Sequence, residues 1–221
     1  SFVPAAVQTL LFSATIGAEV EEISKSIQNN AISVETSHEE VANDISEEFY
    51  LASENKRAEC VVDILNLHRP KNAMIFVNTK VKADELAAWL RQSGVDALAL
   101  HGDLEQYDRV DVLVQFTNAS MSILVATDVA ARGIDIKELP LVINYEVPHN
   151  QETYTHRIGR TGRAGASGVA CTIYSDHEEQ KADEYKNGSR VFSTASSLKR
   201  AFGFEMVPPN VTLVIEGGKK D

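Results

Sequence analysis

Short apolar runs alternate with amphipathic stretches along most of this chain, and this alternation restricts its fold more than any other feature. Residues 74–77 are all apolar, which is typical of a strand buried on both faces of a parallel sheet. Residues 81–92, which follow closely, place most of their apolar side chains on one face of a helix. Repetition of this strand–helix unit predicts an α/β fold with a doubly wound parallel sheet.

Seven strands and six helices are predicted from these patterns. The strands are 9–13, 45–51, 74–78, 97–100, 123–127, 141–145 and 169–174, and the helices are 18–28, 55–68, 81–92, 104–116, 151–160 and 178–185. Ligands of such sheets bind beyond the carboxyl ends of the strands. The candidate site positions are therefore those directly after the strands: Asn78 and Thr79, His101 and Gly102, Thr127 and Asp128, and the stretch after Tyr145.

The alternation covers the middle of the chain and fails at both ends. Residues 1–35 hold one predicted strand and one helix, which is too little for a domain, so we expect the end of a preceding domain or a linker. Residues 36–186 form the predicted α/β domain. Residues 187–221 begin with a stretch rich in Gly, Ser and Thr, which predicts a linker leading into a further segment.

Composition narrows the class of protein. With 43% apolar and 24% charged residues among 221, the chain has the make-up of an ordinary globular protein. No apolar run approaches the roughly 18 residues of a membrane span, so we expect no membrane partner. Cys60 and Cys171 form no CxxC motif, which argues against a disulfide scaffold and a cysteine zinc site and fits a reducing cytosol. We therefore expect no metal site and a cytoplasmic location.

The net charge of −11 alone argues against a nucleic-acid-binding protein. However, the charge is unevenly distributed. Residues 17–59 hold 11 acidic and 3 basic side chains, whereas residues 60–221 hold 21 and 18. Residues 156–163 carry three arginines and no acidic residue. The local charge of a stretch such as 156–163, rather than the net charge of the chain, therefore indicates which class of molecule it binds.

The stretch 156–163 has the sequence HRIGRTGR and is the richest candidate for chemistry. His156, Arg157, Arg160 and Arg163 recur at helical spacing, and two glycines between them permit close approach. Guanidinium groups match phosphate oxygens in geometry and stay charged at any working pH. A solvated helix face would usually interleave Glu with Arg, which this stretch does not. The pattern favours a site for a polyanion or a nucleotide phosphate.

A second candidate stretch, residues 125–135, begins on a predicted strand. Thr127 and Asp128 lie where a ligand would meet the sheet, and Gly133 permits a turn that presents Arg132 and Asp135. Asp128 also suits the N-cap of a following helical turn, and Asp135 suits a cap of the next one. Spacing alone leaves the ligand-binding and the structural role equally open.

The third candidate stretch is 101–109, where Asp103 and Gln106 have capping-box spacing, so a helix is expected to begin near Asp103. Gln106 and Arg109 would share an exposed side of that helix, which by itself is typical of a solvated pair. The sequence contains no GxxxxGK[ST] phosphate loop. We therefore expect this chain not to hold the β- and γ-phosphates and magnesium by itself.

Taken together, five motifs resemble the second RecA-like domain of the DEAD-box RNA helicases over residues 8–175. In the order found in that family they are FSAT (12–15), IFVNT (75–79), Gln106 with Arg109, VATDVAARGID (125–135) and HRIGRTGR (156–163). The resemblance implies a P-loop NTPase-like fold without its own phosphate loop. Within the family, residues 101–109 and the tail VTLVIEGGKKD resemble the DbpA-type branch, which implies that residues 187–221 lead into a truncated RRM-like RNA-binding domain.

The resemblance also implies roles for individual residues. Arg160 and Arg163 would be arginine fingers reaching the γ-phosphate of ATP, with His156 and Arg157 bracing that site, and Asp135 would bind the ribose. The RNA backbone would be contacted by Asn78, Thr79, Gly102, Gln106, Arg109, Thr127 and Arg132. ATP with Mg²⁺ would be held mainly by a first RecA-like domain, which would be a partner of this one. Closure of the two domains would unwind short RNA duplexes, including ribosomal RNA during large-subunit assembly.

Two other functions stay open at this point. The chain could be a non-catalytic RNA-binding or regulatory module with a RecA-like fold, or part of a related translocase on DNA. The FSAT motif favours coupling to a first domain, and the form of HRIGRTGR favours RNA. As an isolated piece the chain is expected to be inactive. We also expect residues 205–216 to pack on the domain or on a second copy, and packing on a second copy would cause self-association. A tail held only by crystal contacts is the open alternative.

Overall fold

The computed structural model describes residues 7–12, 18–34, 45–134, 136, 138–162, 167–186 and 189–193. The chain divides into two units, Ser1–Val41 and Ala42–Asp221. The FSAT serine and threonine, Asp135, Arg163 and the tail segment 205–216 lie outside the described residues.

The first unit contains helix α1 (Ala18–Ile27). The side-chain amide of Gln28, just after the helix, donates to the carbonyl of Thr9 over 3.1 Å. The strand predicted at 9–13 is not found in its described part, residues 9–12, because no neighbouring strand pairs with these residues in the described structure.

The second unit is built on a seven-stranded sheet in which every strand pair is parallel. The strands are β1 (Ile45–Leu51), β2 (Ala73–Val77), β3 (Ala97–Leu100), β4 (Ile123–Thr127), β5 (Leu141–Asn144), β6 (Gly168–Tyr174) and β7 (Arg190–Ser193). Their order across the sheet is β3-β4-β2-β5-β6-β1-β7. The helices are α2 (Arg57–His68), α3 (Lys80–Gln92), α4 (Gln106–Thr117), α5 (Asp128–Ala131), α6 (Gln151–Ile158) and α7 (Glu179–Asp183).

Helices cover both faces of the sheet. Alternate strand residues such as Ile75 and Val125 pack with α2 and α3 in one apolar cluster. Their neighbours Met74 and Leu124 point to the opposite face, where they pack with α4 and α5. Further along that second face, α6 and α7 pack on Phe49 and on the end of β6. The doubly wound α/β fold predicted from the sequence is confirmed.

Two local predictions differ from the structure. Strand β7 was not predicted, because its four residues lie at the sheet edge and lack a long apolar run; its Phe192 stacks on Tyr50 with ring centroids 4.9 Å apart. Helix α4 begins at Gln106 with Glu105 as its N-cap, so the capping box predicted at Asp103 is wrong. The Asp103 carboxylate instead accepts from Lys80 Nζ over 2.5 Å.

Among the helices of the described residues, none combines the length and the apolar character that a membrane crossing requires.

Candidate functional site

The parallel sheet brings most of the predicted site residues to one edge. All strands point the same way, so their carboxyl ends lie along a single edge of the sheet. Strands β3, β4 and β2 are direct neighbours, and Gly102, Thr127 and Asn78 lie at or just after their ends. These three positions are 24 or more residues apart in sequence, and the fold makes them adjacent.

At the end of β2, Asn78 and Thr79 make different contacts. The backbone N–H of Asn78 donates to Glu146 Oε2 over 2.8 Å, and its side-chain carbonyl accepts from Arg157 over 2.9 Å. The Thr79 hydroxyl caps α3 by accepting from the N–H of Lys82 over 3.2 Å. Thr79 is exposed and Asn78 is half-buried. Asn78 is therefore fixed by the protein, while Thr79 faces solvent at the start of its helix.

The start of α4 forms the neighbouring part of the edge. Gly102 and Gln106 are exposed, and a Cβ added to Gly102 would meet no atom within 4 Å. Arg109 donates to the carbonyl of Ala130 over 2.7 Å, which fastens α4 to α5. That contact uses one of the five N–H donors of the guanidinium. Arg132, which follows α5, is exposed.

Arg157 is the most buried of the basic residues described in this stretch, with 1% of its surface exposed. Its Nε and one Nη donate to the two carboxylate oxygens of Asp128 over 2.7 and 2.8 Å. The other Nη donates to the carbonyl of Glu146 over 3.2 Å and to Asn144 Oδ1 over 3.4 Å. Buried arginines require such paired acceptors because an uncompensated charge is costly. This position gives Arg157 contacts within the protein and no surface for a ligand.

The other cations of this stretch lie nearer the surface. His156 is exposed and Arg160 is half-buried. Arg160 donates to the carbonyls of Ile134 over 2.7 Å and Ala131 over 3.1 Å. Arg160 therefore holds the end of α5 and the residues that follow it.

Several charged groups of this edge were missed in the sequence. Glu146 is 7% exposed, and its carboxylate accepts from Lys82 Nζ as well as from the N–H of Asn78. Glu146 lies two residues after the end of β5, within the stretch after Tyr145 that the sequence indicates as a candidate position without singling out a residue. Arg57 is also buried, pairing with Glu178 and Glu54. Burial lowers the pKa of Arg57, but the two carboxylates outweigh this effect and raise the pKa above its ordinary value.

A cleft of about 260 Å³ lies beside these buried charges. It is lined by Glu54, Ala58, Lys82, Glu85, Leu86, Trp89 and Tyr145. The cleft lies against α2 and α3, so it does not unite the predicted RNA and nucleotide residues.

The donors at the edge suit phosphate rather than a magnesium ion. His156 and Arg160 offer N–H groups, which match phosphate oxygens. Mg²⁺ requires oxygen ligands such as carboxylates. The carboxylate of Asp128 is taken by Arg157, and that of Glu146 by Lys82 and Asn78. The donors of His156 and Arg160 therefore suit phosphate groups, whereas the carboxylates of Asp128 and Glu146 are occupied by partners within the protein.

Comparison with known proteins gives the family. Residues 56–165 match the family described as Helicase conserved C-terminal domain. The chain is 40% identical over 224 residues to the ATP-dependent RNA helicase DbpA of Escherichia coli (strain K12). That alignment covers 99% of this chain and 48% of DbpA, so the chain spans about half the length of that relative.

Solved structures of DEAD-box proteins have the same fold. Escherichia coli SrmB, bound to the regulator RraA, is 30% identical with a TM-score of 0.61, over 67% of this chain and 89% of that one. Saccharomyces cerevisiae Dbp5, bound to RNA and ADP BeF3, is 30% identical with a TM-score of 0.71, over 90% of this chain and 56% of that one. The chain therefore belongs to the DEAD-box RNA helicases, as a C-terminal RecA-like domain.

Proposed function

We propose that this chain is the C-terminal half of an ATP-dependent RNA helicase, with an RNA track and a nucleotide site at the same sheet edge. The observation that carries the proposal is the buried ion pair between Arg157 and Asp128. Arg157 lies between His156 and Arg160, the two described nucleotide candidates with surface exposure. Asp128 directly follows Thr127, a candidate RNA contact. One bidentate pair thus joins the two sets of residues.

The proposed RNA track runs over the ends of β2, β4 and β3. It comprises Asn78, Thr79, Gly102, Gln106, Arg109, Thr127 and Arg132. The exposed members present a hydroxyl, an amide and the guanidinium of Arg132, and half-buried Arg109 adds a second guanidinium. These groups can bind phosphate and 2′-hydroxyl groups without regard to base sequence. The open space over Gly102 supports close approach of a backbone at this point. Asn78 would act mainly by orienting its neighbours, since its side chain accepts from Arg157.

The proposed nucleotide site uses Arg160 and Arg163 as arginine fingers, with His156 beside them and Asp135 at the ribose. Guanidinium groups placed at a transferring phosphoryl group stabilise the charge that develops there. Arg157 would act through Asp128, because its own donors are used inside the protein. ATP and Mg²⁺ would be held mainly by a first RecA-like domain, which supplies the phosphate loop.

RNA and ATP would each contact both domains and would each favour closure, so each ligand would raise the affinity for the other. Closure would distort one RNA strand and separate a short duplex. We extend the proposal to ribosomal RNA in large-subunit assembly, on the resemblance to the DbpA-type branch. A cytoplasmic location is part of the proposal and is supported by the two free, buried cysteines.

The test compares Arg109→Ala with Arg91→Ala in a protein in which a first RecA-like domain precedes this chain. That protein is called the full-length protein below. Arg91 lies in the last turn of α3 and donates to the carbonyl of Ala97, at the amino end of β3 and away from the proposed track. We expect Arg109→Ala to weaken binding of single-stranded RNA and to reduce the salt slope of binding by about one. Arg91→Ala is expected to keep the slope of the parent.

A slope that Arg109→Ala leaves unchanged would remove Arg109 from the track. RNA binding without any RNA-stimulated ATP turnover by the full-length protein would favour the non-catalytic module instead.

A further inference from the structure

Three potential metal ligands lie together away from the proposed track. Glu48 Oε2 and His68 Nε2 are 3.0 Å apart. Cys171 Sγ lies 3.9 Å from that carboxylate oxygen and 3.8 Å from the histidine nitrogen. Within the described part of the chain, this is the one cluster of three such groups with mutually close donor atoms.

The parallel sheet creates this cluster from distant parts of the sequence. Glu48 on β1 is the register partner of Cys171 on β6, so the two side chains leave the same face of adjacent strands. His68 is the last residue of α2, which packs on that face. Because α2 runs back from the carboxyl ends of the strands, its last residue lies towards their amino ends. The cluster is therefore separate from the edge that carries the proposed nucleotide and RNA residues.

We infer that Glu48, His68 and Cys171 form a binding site for a divalent transition-metal ion, with zinc as the preferred metal. Zinc binds oxygen and nitrogen ligands at about 2.0–2.2 Å and sulfur at about 2.3 Å in tetrahedral sites. Those bond lengths place ligand atoms about 3.3–3.6 Å apart. The three observed separations, 3.0, 3.8 and 3.9 Å, lie on both sides of this range. Side-chain shifts of a few tenths of an ångström would complete the site.

The charges of the cluster balance those of the ion. Binding converts the Cys171 thiol to a zinc-bound thiolate and releases one proton to solvent. A divalent ion with one thiolate, one carboxylate and a neutral imidazole then has no net charge. Coordination by a cysteine requires this deprotonation.

Two further residues orient the carboxylate. The Tyr50 hydroxyl donates to Glu48 Oε2 over 2.5 Å, and an Arg190 nitrogen lies 3.6 Å from Oε1. Such second-layer partners are typical of metal sites and tune their affinity. The side chain of His68 is 18% exposed, which leaves a route for the ion and for a water as fourth ligand. Once bound, the ion would clamp α2 to β1 and β6.

The sequence prediction of no metal site rested on the lack of motifs with metal-ligand spacing, such as CxxC. Cys171 and His68 are 103 residues apart, so no spacing rule could join them. Their proximity follows from the packing of α2 on the sheet face that carries Cys171.

The test uses the chain of 221 residues, first stripped of metal with a chelator and then titrated with CoCl₂ and ZnCl₂. We expect one Co²⁺ per chain with a thiolate-to-cobalt charge-transfer band, displaced by Zn²⁺, and about one proton released per ion bound. Cys171→Ala should abolish the band. Cys60→Ala is the matched control, because it removes the other buried thiol and should leave the band unchanged.

A second variant keeps the proposal testable if Cys171→Ala does not fold. His68→Asn changes a partly exposed side chain and should weaken Zn²⁺ binding by at least about 10–100-fold, the loss known for second-layer partners. Exposed His149→Asn should bind as the parent does. Absence of the charge-transfer band in the parent would overturn the site. Equal Zn²⁺ affinity of the parent and His68→Asn would also overturn it, showing that the ion binds elsewhere on the acidic surface.

Discussion

The substitution Asp128→Asn isolates the ion pair on which the proposed coupling depends. Asparagine keeps the shape of the side chain but removes the charge, so Arg157 stays buried opposite a neutral amide. In the parent, Arg157 donates to both Asp128 oxygens over 2.7 and 2.8 Å, and the side chains of the two residues are 1% and 25% exposed. Loss of one partner from a buried pair costs about 3–5 kcal/mol of stability.

The lower end of that range applies here for two reasons. Asp128 keeps some contact with water, which screens the pair, and Arg157 retains acceptors on Asn78, Asn144 and Glu146. We therefore expect the free energy of unfolding to fall by about 3 kcal/mol. For a chain of this length, that corresponds to a decrease in Tm of about 6–12 °C.

The assay is urea and thermal denaturation of the chain of 221 residues. The control is Asp183→Asn, which removes a carboxylate 2.7 Å from Lys186 Nζ but 62% exposed, and which should cost less than about 1 kcal/mol. Equal destabilisation by the two substitutions would refute the view that burial makes the Arg157 pair important. A parent-like Tm for Asp128→Asn would do so as well.

Three further predictions follow from the same structure. Gly168→Ala should lower Tm by about 6–12 °C, because the added Cβ would lie 1.9 Å from Thr161 Oγ1 and 2.6 Å from the backbone N of Gly162. Gly102→Ala is the control: its added Cβ meets open space, so the variant should have the Tm of the parent and weaken only RNA binding. Burial and the charge of Asp63 raise the pKa of Cys60 from 9.0 to about 12. The unfolded chain therefore loses this proton at lower pH than the folded chain does, and stability falls as the pH rises between those two values. In denaturation curves, the free energy of unfolding of Cys60→Ala should fall by about 1.4 kcal/mol less than that of the parent between pH 8 and 10. Purified residues 1–221 should show no RNA-stimulated ATP turnover in a phosphate-release assay, and clear turnover would contradict the division of the site between two domains.

The sheet was predictable from the sequence because its central strands are buried on both faces. Residues 74–77 and 123–126 are apolar without interruption, and the structure places them in adjacent β2 and β4. Strand β7 escaped prediction because an edge strand of four residues carries little hydrophobic signal. Its place in the sheet depends on pairing with β1, which local sequence does not specify.

The sequence indicated which residue types make up the candidate site, but not which residues their side chains contact. Three arginines at helical spacing indicated phosphate binding, but nothing local indicated that Arg157 would be buried. Its burial depends on acceptors from Asp128, Asn78 and Asn144, on three other strands or strand ends. Asp128 could equally have been a helix cap by its spacing. Long-range ion pairs of this kind require the fold before they can be assigned.

The most direct test of the central proposal is RNA-stimulated ATP turnover by the full-length protein carrying Arg163→Ala. Loss of an arginine finger has reduced turnover by about 10³–10⁵-fold in enzymes that transfer phosphoryl groups. We expect a decrease of that order in kcat, with the Kd for RNA within about twofold of the parent and with Arg91→Ala turning over at the parental rate. A kcat that Arg163→Ala leaves unchanged would contradict the assignment of this arginine stretch to the nucleotide site.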